Sequence, residues 1–226
     1  MTATGTTTVP LTLSEGVLLH GEQFAKKLGA VSIGDVQVDL PLVPDKVSSN
    51  ELARVLLATA LLELEACGSL KLAMQHRKTL FGLRKVSVLE LSAGLSHEVL
   101  PEGSLEARIL QAVQQLNRAS DLPDLIALLV PLSHQPRLDV VNFVKEALAR
   151  RDLLEVQNTK MLGLLPVRKY TATKVTLAYT AYASPQLARD RLTACETQRP
   201  EVWRALVRGI ETGLDRQTKS NDSSLD

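Results

Sequence analysis

What this chain lacks narrows its function before any motif is read. Two cysteines, Cys67 and Cys195, are too few for a disulfide scaffold. Cys67 ends an apolar stretch, where a buried free thiol is expected, and a reducing compartment follows from that. No run approaches the roughly 20 apolar residues of a membrane-spanning helix. The opening MTATGTTTVPLTL has neither the basic start nor the continuous apolar core of a secretion signal, so the expectation is a cytoplasmic protein. Aromatic residues are 3% of the chain and tryptophan occurs once. Trp203 is therefore read as a packing residue on the last helix rather than a stacking platform for a ligand.

Enzyme signatures are missing as well. The sequence contains no GxxxxGK[ST], no GxGxxG after a strand, no GxSxG and no HExxH. His20, His76, His97 and His134 are scattered and none forms a metal-spaced pair. Glu63 and Glu65 cannot share a helix face, because residues two apart point in different directions. Glu63, in an apolar setting, is expected to accept from an N–H or to pair with an Arg. No catalytic residue, cofactor or metal site is assigned.

What is present is a long hydrophobic chain with its positive charge concentrated. Of 226 residues, 45% are hydrophobic, enough to build a core without staples, and the formal net charge is only +1. Between Gly68 and Val88, however, stand Lys71, Arg77, Lys78, Arg84 and Lys85 with no acid among them. This segment follows ELARVLLATALLELEA, an almost wholly apolar helix that begins at Glu51 and has no broad wet face. Ser48, Ser49 and Asn50 supply cap side chains for it, and Gly68 suits the left-handed residue that stops it. In Leu70, Leu72 and Met74 the apolar period drops to two, the mark of a strand with one buried face. The organising unit is thus a central helix followed by a basic hairpin.

Along the rest of the chain, LTLSEGVLL (Leu11–Leu19) reads either as a short strand plus a turn or as a helix capped by Ser14. Residues from about 21 to 47 form an inserted segment, with an edge strand in SIGDVQVDLPLV. Ser104 caps the amphipathic LEARILQAVQQL; Pro123 opens LPDLIALLV and Pro131 ends it. A long helix follows from Arg137 to Arg151. Its sequel, LLEVQNTKMLGLLPVRKYTAT, reads as a second hairpin, with Leu154 matching Leu70, Gly163 matching Gly82 and Arg168-Lys169 answering Arg84-Lys85. The C-terminal part reads as two more helices, with Leu206, Ile210 and Leu214 on one face, and a disordered tail over 217–226. The expected fold is mainly α: one helical domain over 11–216 around a buried central helix, after a flexible leader at 1–10. β-hairpins follow two of its helices in a pattern that a tandem winged helix would also show.

The order of LTLSEGVLL, LLELEACGSLKL, HRKTLFGLRKV, EALARRDLLEV and KMLGLLPVRKYT resembles the Golgi phosphoprotein 3 family, over roughly Leu11 to Ala172. The resemblance implies a mainly helical domain, peripheral attachment to a membrane and binding of phosphatidylinositol 4-phosphate. It also implies an adaptor role, at the Golgi if the source is eukaryotic, although the short chain is closer to bacterial members. The family's headgroup residues fall here on Ser48, Leu57, Leu138 and Val141, none of which keeps the expected side chain. Arg54 and Arg137 lie close to two of those positions and are read in two ways: as substitutes, two guanidinium groups suited to a phosphate, or as ordinary surface residues, Arg54 paired with Glu51 or another surface carboxylate and Arg137 solvated at its helix start.

Two functions follow. The first is a non-enzymatic peripheral membrane or adaptor protein. Arg54 and Arg137 would hold an anionic headgroup, and Arg77, Lys78, Arg84 and Lys85 would face an anionic bilayer at about 1 kcal/mol per charge. Leu80 and Phe81, between those charges, are read as packed residues, with insertion into the interface as their functional alternative. The second function is a tandem winged-helix nucleic-acid-binding or protein-interaction module, with the Arg137–Arg151 helix in a groove; the acids Asp139, Glu146 and Asp152 weaken it.

Overall fold

The computed structural model describes residues 10–27, 35–78, 85–96, 99–130, 133–161, 165–180 and 185–222. The chain is mainly α-helical with small antiparallel sheets. Its first helix, α1 (Leu13–Leu19), settles the ambiguity of LTLSEGVLL: Thr12 caps it, with its hydroxyl accepting from the Glu15 N–H and the Glu15 carboxylate returning to the Thr12 N–H. Ser14, the cap expected from sequence, lies inside the helix. Among the described residues of the stretch read as an insertion, there are a 3-10 turn (Gly21–Gln23) and a two-stranded sheet, β1 (Gln37–Asp39) with β2 (Lys46–Ser48).

The apolar helix is α2 (Ser49–Ala66), with Ser48 as its cap. Leu52, Leu56, Leu57, Leu61 and Leu64 are all at most 1% exposed, and α2 touches α1 together with most of the helices that follow. Burying each such leucine stabilises the fold by roughly 2 kcal/mol, so α2 is the hydrophobic axis its composition implies. Its end is set by Gly68 at φ +76°, where the Ser69 N–H reaches back to Leu64 O and the Gly68 N–H to Glu65 O. From there β3 (Leu70–Lys78) runs into β4 (Lys85–Ala93), pairing Leu72 with Leu91, Met74 with Leu89 and His76 with Ser87. β5 (Ser120–Asp121) adds a short third strand beside β4.

The amphipathic stretch is α3 (Leu105–Leu116), capped by Ser104 as expected. It leads through β5 into α4 (Leu122–Leu129), with Pro123 in its first turn. Helix α5 (Pro136–Arg150) ends as α2 does: Asp152 takes φ +57°, Leu153 N–H bonds to Leu148 O and Asp152 N–H to Ala149 O. The second hairpin then forms from β6 (Leu154–Met161) and β7 (Leu165–Ala172), beginning at Leu154 as β3 begins at Leu70. The matched pair Gly82 and Gly163 lies outside the described residues.

The C-terminal part departs from expectation. Its described residues form three helices rather than two: α6 (Lys174–Thr180), α7 (Gln186–Gln198) and α8 (Pro200–Asp222). Pro200 cannot continue the bond pattern of α7 but suits the first turn of α8, so the chain breaks there. α8 also runs on to Asp222, into the stretch expected to be an unstructured tail. Its Leu206, Ile210 and Leu214 are fully buried, as their spacing implies, and Trp203 packs against the core. Among the described residues no helix is long and apolar enough to cross a membrane.

α8 lies unusually close to α4, and two glycines are the reason. A Cβ placed on Gly213 would sit 2.8 Å from Ile126 Cβ, and one on Gly209 would sit 2.9 Å from Leu122 Cδ2. Glycine inside a helix costs about 1 kcal/mol relative to alanine, and the close approach offsets it. Gly213→Ala is therefore expected to lose stability by about 1–3 kcal/mol despite its better helix propensity, seen as a lower melting temperature by calorimetry with the helical circular dichroism of the native state retained.

Candidate functional site

The two arginines singled out from sequence do come together, and what joins them is α8. Arg54 of α2 stands 3.6 Å from Glu211, while Arg137 of α5 donates to Glu211 at 3.1 Å and to Asp215 at 2.8 Å. Burial opposes the charge on Arg137, but its bonds to Asp215 and Glu211 outweigh that and hold the guanidinium charged above its ordinary value. Arg137 is thus neither a solvated helix-start residue nor an open anion receptor. A shallow cleft of about 100 Å³ beside it is lined by Asn50, His134 and Thr218. Two cations meet two carboxylates here, so an incoming phosphate would compete with α8 for both guanidinium groups.

Of the basic hairpin, Arg77 is also occupied. Its guanidinium bridges Asp121 at 2.8 Å and Glu90 at 3.2 Å, tying β3 to β5 across β4. Arg84 lies outside the described residues, as do Leu80 and Phe81. The backbone register makes Lys78 and Lys85 direct cross-strand partners at the far end of the hairpin. Like charges placed opposite one another in an antiparallel pair are unfavourable without a counter-charge.

Sequence reasoning missed two arginines that the tertiary structure gathers in one cleft, without an acid partner among the described residues. Arg204 and Arg208, one turn apart on α8, line a cleft of about 240 Å³ against the hairpin, together with Met74, His76, Ser87 and Glu201. Among the described residues neither arginine has a carboxylate within 4.0 Å; Arg204 Nε donates to the Pro200 carbonyl at 3.2 Å. The His76 Nδ1 and Ser87 Oγ lie 2.9 Å apart across the strands. The i, i+4 spacing of the two arginines is visible in the sequence, but nothing there tells which strand α8 covers.

A second constellation went unread as well. At the start of α1 three carboxylates converge: Glu15 Oε2 accepts from Thr12 N–H, Glu63 Oε2 from Leu13 N–H at 2.8 Å, and Glu106 Oε1 from Ser14 N–H at 3.3 Å. Glu63 acts as the N–H acceptor expected of it. Glu15 and Glu106 are fully buried, and the Arg151 guanidinium is in ion contact with Glu15. Burial pushes the Glu15 carboxyl up to about 7, against the opposing pull of Arg151; burial and the neighbouring charge of Glu63 push Glu106 up to about 7. Among the described residues no group of three or more His, Cys, Asp or Glu is placed to hold a metal ion.

With the geometry established, comparison adds no relative: no family model, curated protein or solved structure matches this chain.

The raised carboxyls carry a pH signature. A glutamate that titrates near 4.5 when unfolded and near 7 when folded binds protons more tightly in the native state. Its stabilising contribution is full below pH 4.5 and is lost as pH rises through 7. A tenfold difference in proton affinity between the two states is worth about 1.4 kcal/mol. The melting temperature should therefore fall by several degrees between acidic and mildly alkaline buffer, and Glu106→Gln, which imitates the protonated acid while keeping an acceptor for Ser14, should flatten that slope in scanning calorimetry across the same range.

Proposed function

We propose that this chain is a non-enzymatic peripheral protein that binds an anionic membrane surface through the end of the β3–β4 hairpin. The observation that carries the reading is the register that sets Lys78 directly opposite Lys85. Arg84 adjoins this pair in sequence, and the whole segment from Gly68 to Val88 holds no acid. An anionic bilayer offers these lysines a counter-charge, worth about 1 kcal/mol for each one near the surface. The likeness to the Golgi phosphoprotein 3 family supports the same class of function, with phosphatidylinositol 4-phosphate as the implied lipid and an adaptor role at the membrane.

The proposed binding surface differs from the family's headgroup site in one respect. Arg54 and Arg137 are joined to Glu211 and Asp215, so they act first as the clamp that holds α8 to α2 and α5. A headgroup could reach them only by displacing those carboxylates, and the hairpin carries the surface binding instead. The nucleic-acid alternative has less support: Val140, Val141, Val144, Lys145, Ala147 and Leu148 of α5 are buried, so much of that helix is turned to the core.

Vesicle sedimentation tests the reading. The chain should sediment with phosphatidylserine-containing vesicles at low salt and release as salt rises, and Lys78→Glu with Lys85→Glu should weaken binding by tenfold or more. Stronger binding to phosphatidylinositol 4-phosphate than to phosphatidylserine at equal surface charge would add headgroup recognition. No sedimentation at low salt, or no effect of the double substitution, would overturn the proposal.

A further inference from the structure

The cleft between the hairpin and α8 has the makings of a ligand site distinct from the hairpin end. On β3 the face that carries Leu70, Leu72 and Met74 toward the core continues to His76, opposite Ser87 on β4. At that point the apolar cover ends and α8 supplies Arg204 and Arg208 instead. Two guanidinium groups therefore meet a hydroxyl and an imidazole in a recess of about 240 Å³. Several arginines of the fold are matched with acids, Arg54 with Glu211, Arg77 with Glu90 and Asp121, Arg199 with Glu65, while Arg108 and Arg191 donate to backbone carbonyls and Arg189 to Gln23. Arg204 and Arg208 are not so matched among the described residues, though Glu201 also lines the recess.

The chemistry of the lining selects the ligand. Paired guanidinium groups one helical turn apart match the several oxygens of a doubly charged phosphate better than a single carboxylate. A hydroxyl and an imidazole add further polar partners, and the Glu201 carboxylate would repel a bare anion but can accept from hydroxyl groups. Arg208 also borders an adjoining slot of about 180 Å³, lined by Leu122, Pro123 and Leu89, with room for the remainder of the molecule. We infer that the His76–Ser87–Arg204–Arg208 cleft binds a phosphate monoester borne on a hydroxylated carrier. This goes beyond surface attachment by the hairpin and does not depend on it.

Glycerol 3-phosphate, free in solution or as the headgroup of phosphatidic acid, serves as the probe. The full chain is titrated with the soluble compound at low ionic strength and followed by amide chemical shifts. Saturable changes confined to His76, Ser87 and residues 201–208, with a Kd on the order of 1 mM or tighter, are expected. Arg204→Gln with Arg208→Gln should weaken binding about tenfold or more, and Arg118→Gln, which lines neither recess, should not. Shifts that do not saturate or that map elsewhere on the unmodified chain overturn the inference, as does unchanged affinity in the double variant.

The vesicle arm identifies the source of the phosphate. Preference for phosphatidic acid over phosphatidylglycerol at equal surface charge, lost in the Arg204/Arg208 variant, assigns the site to a lipid headgroup. Binding of glycerol 3-phosphate without that preference assigns it to a soluble phosphate ester. Vesicle binding that survives Arg204→Gln with Arg208→Gln yet is lost in Lys78→Glu with Lys85→Glu belongs to the hairpin alone, so failure of either idea leaves the other standing.

Discussion

A helix of seven residues packed inside a protein has nowhere to send its first N–H groups, and α1 meets that constraint with carboxylates from across the fold. Glu15 returns to the cap, Glu63 comes from the later part of α2, Glu106 from the first turn of α3, and Arg151 from the end of α5 sits against Glu15. Burying acids is costly, and both Glu15 and Glu106 respond by holding their protons to about pH 7. In return the arrangement fixes one geometry in which these α1 donors are met. α1, α3 and α5 are thereby placed around α2, and a shift of any one would leave a buried polar group unmatched.

From that centre the two hairpins and α8 take their places. α2 and α5 each end in a left-handed residue, Gly68 and Asp152, and each sends its chain back as a strand beginning with a buried leucine. Gly209 and Gly213 let α8 settle against α4, which carries one edge of α8 over Arg54 and Arg137 and another over the mouth of the β3–β4 hairpin. The same helix thus neutralises one pair of arginines and presents another. Which of these four arginines can meet an outside anion is decided by this placement, since they look alike as side chains.

Much of this was legible from residues alone. The apolar continuity of Leu52–Leu64 could only be a buried axis, Gly68 could only be a stop, and the change of period at Leu70 could only start a strand. Glu63, an acid in an apolar helix, had to find a donor, and it did. The proximity of Arg54 and Arg137 followed from a family likeness and holds in space, but its chemical sense changed, because Glu211 and Asp215 lie more than seventy residues away from Arg137 in the chain. The capping of α1 by Thr12 is written locally, in the Thr-x-x-Glu spacing of Thr12 and Glu15, and sequence reasoning passed it over for Ser14; the burial of Glu106 on a helix that reads as amphipathic and the exposure of Arg204 and Arg208 to the hairpin had no local signal.

The division has a physical cause. Helix propensity, capping, stop residues and apolar period are interactions among neighbours in sequence, so the chain by itself determined the central helix, both helix–hairpin units and the concentration of positive charge near β3 and β4. Whether a charge is neutralised, buried or free depends on partners brought by long-range packing: α8 decides it for Arg54 and Arg137, and β5 beside β4 decides it for Arg77. Tertiary structure alone decided that Arg54, Arg77 and Arg137 are bound to acids of this chain while Arg204 and Arg208 line an open cleft.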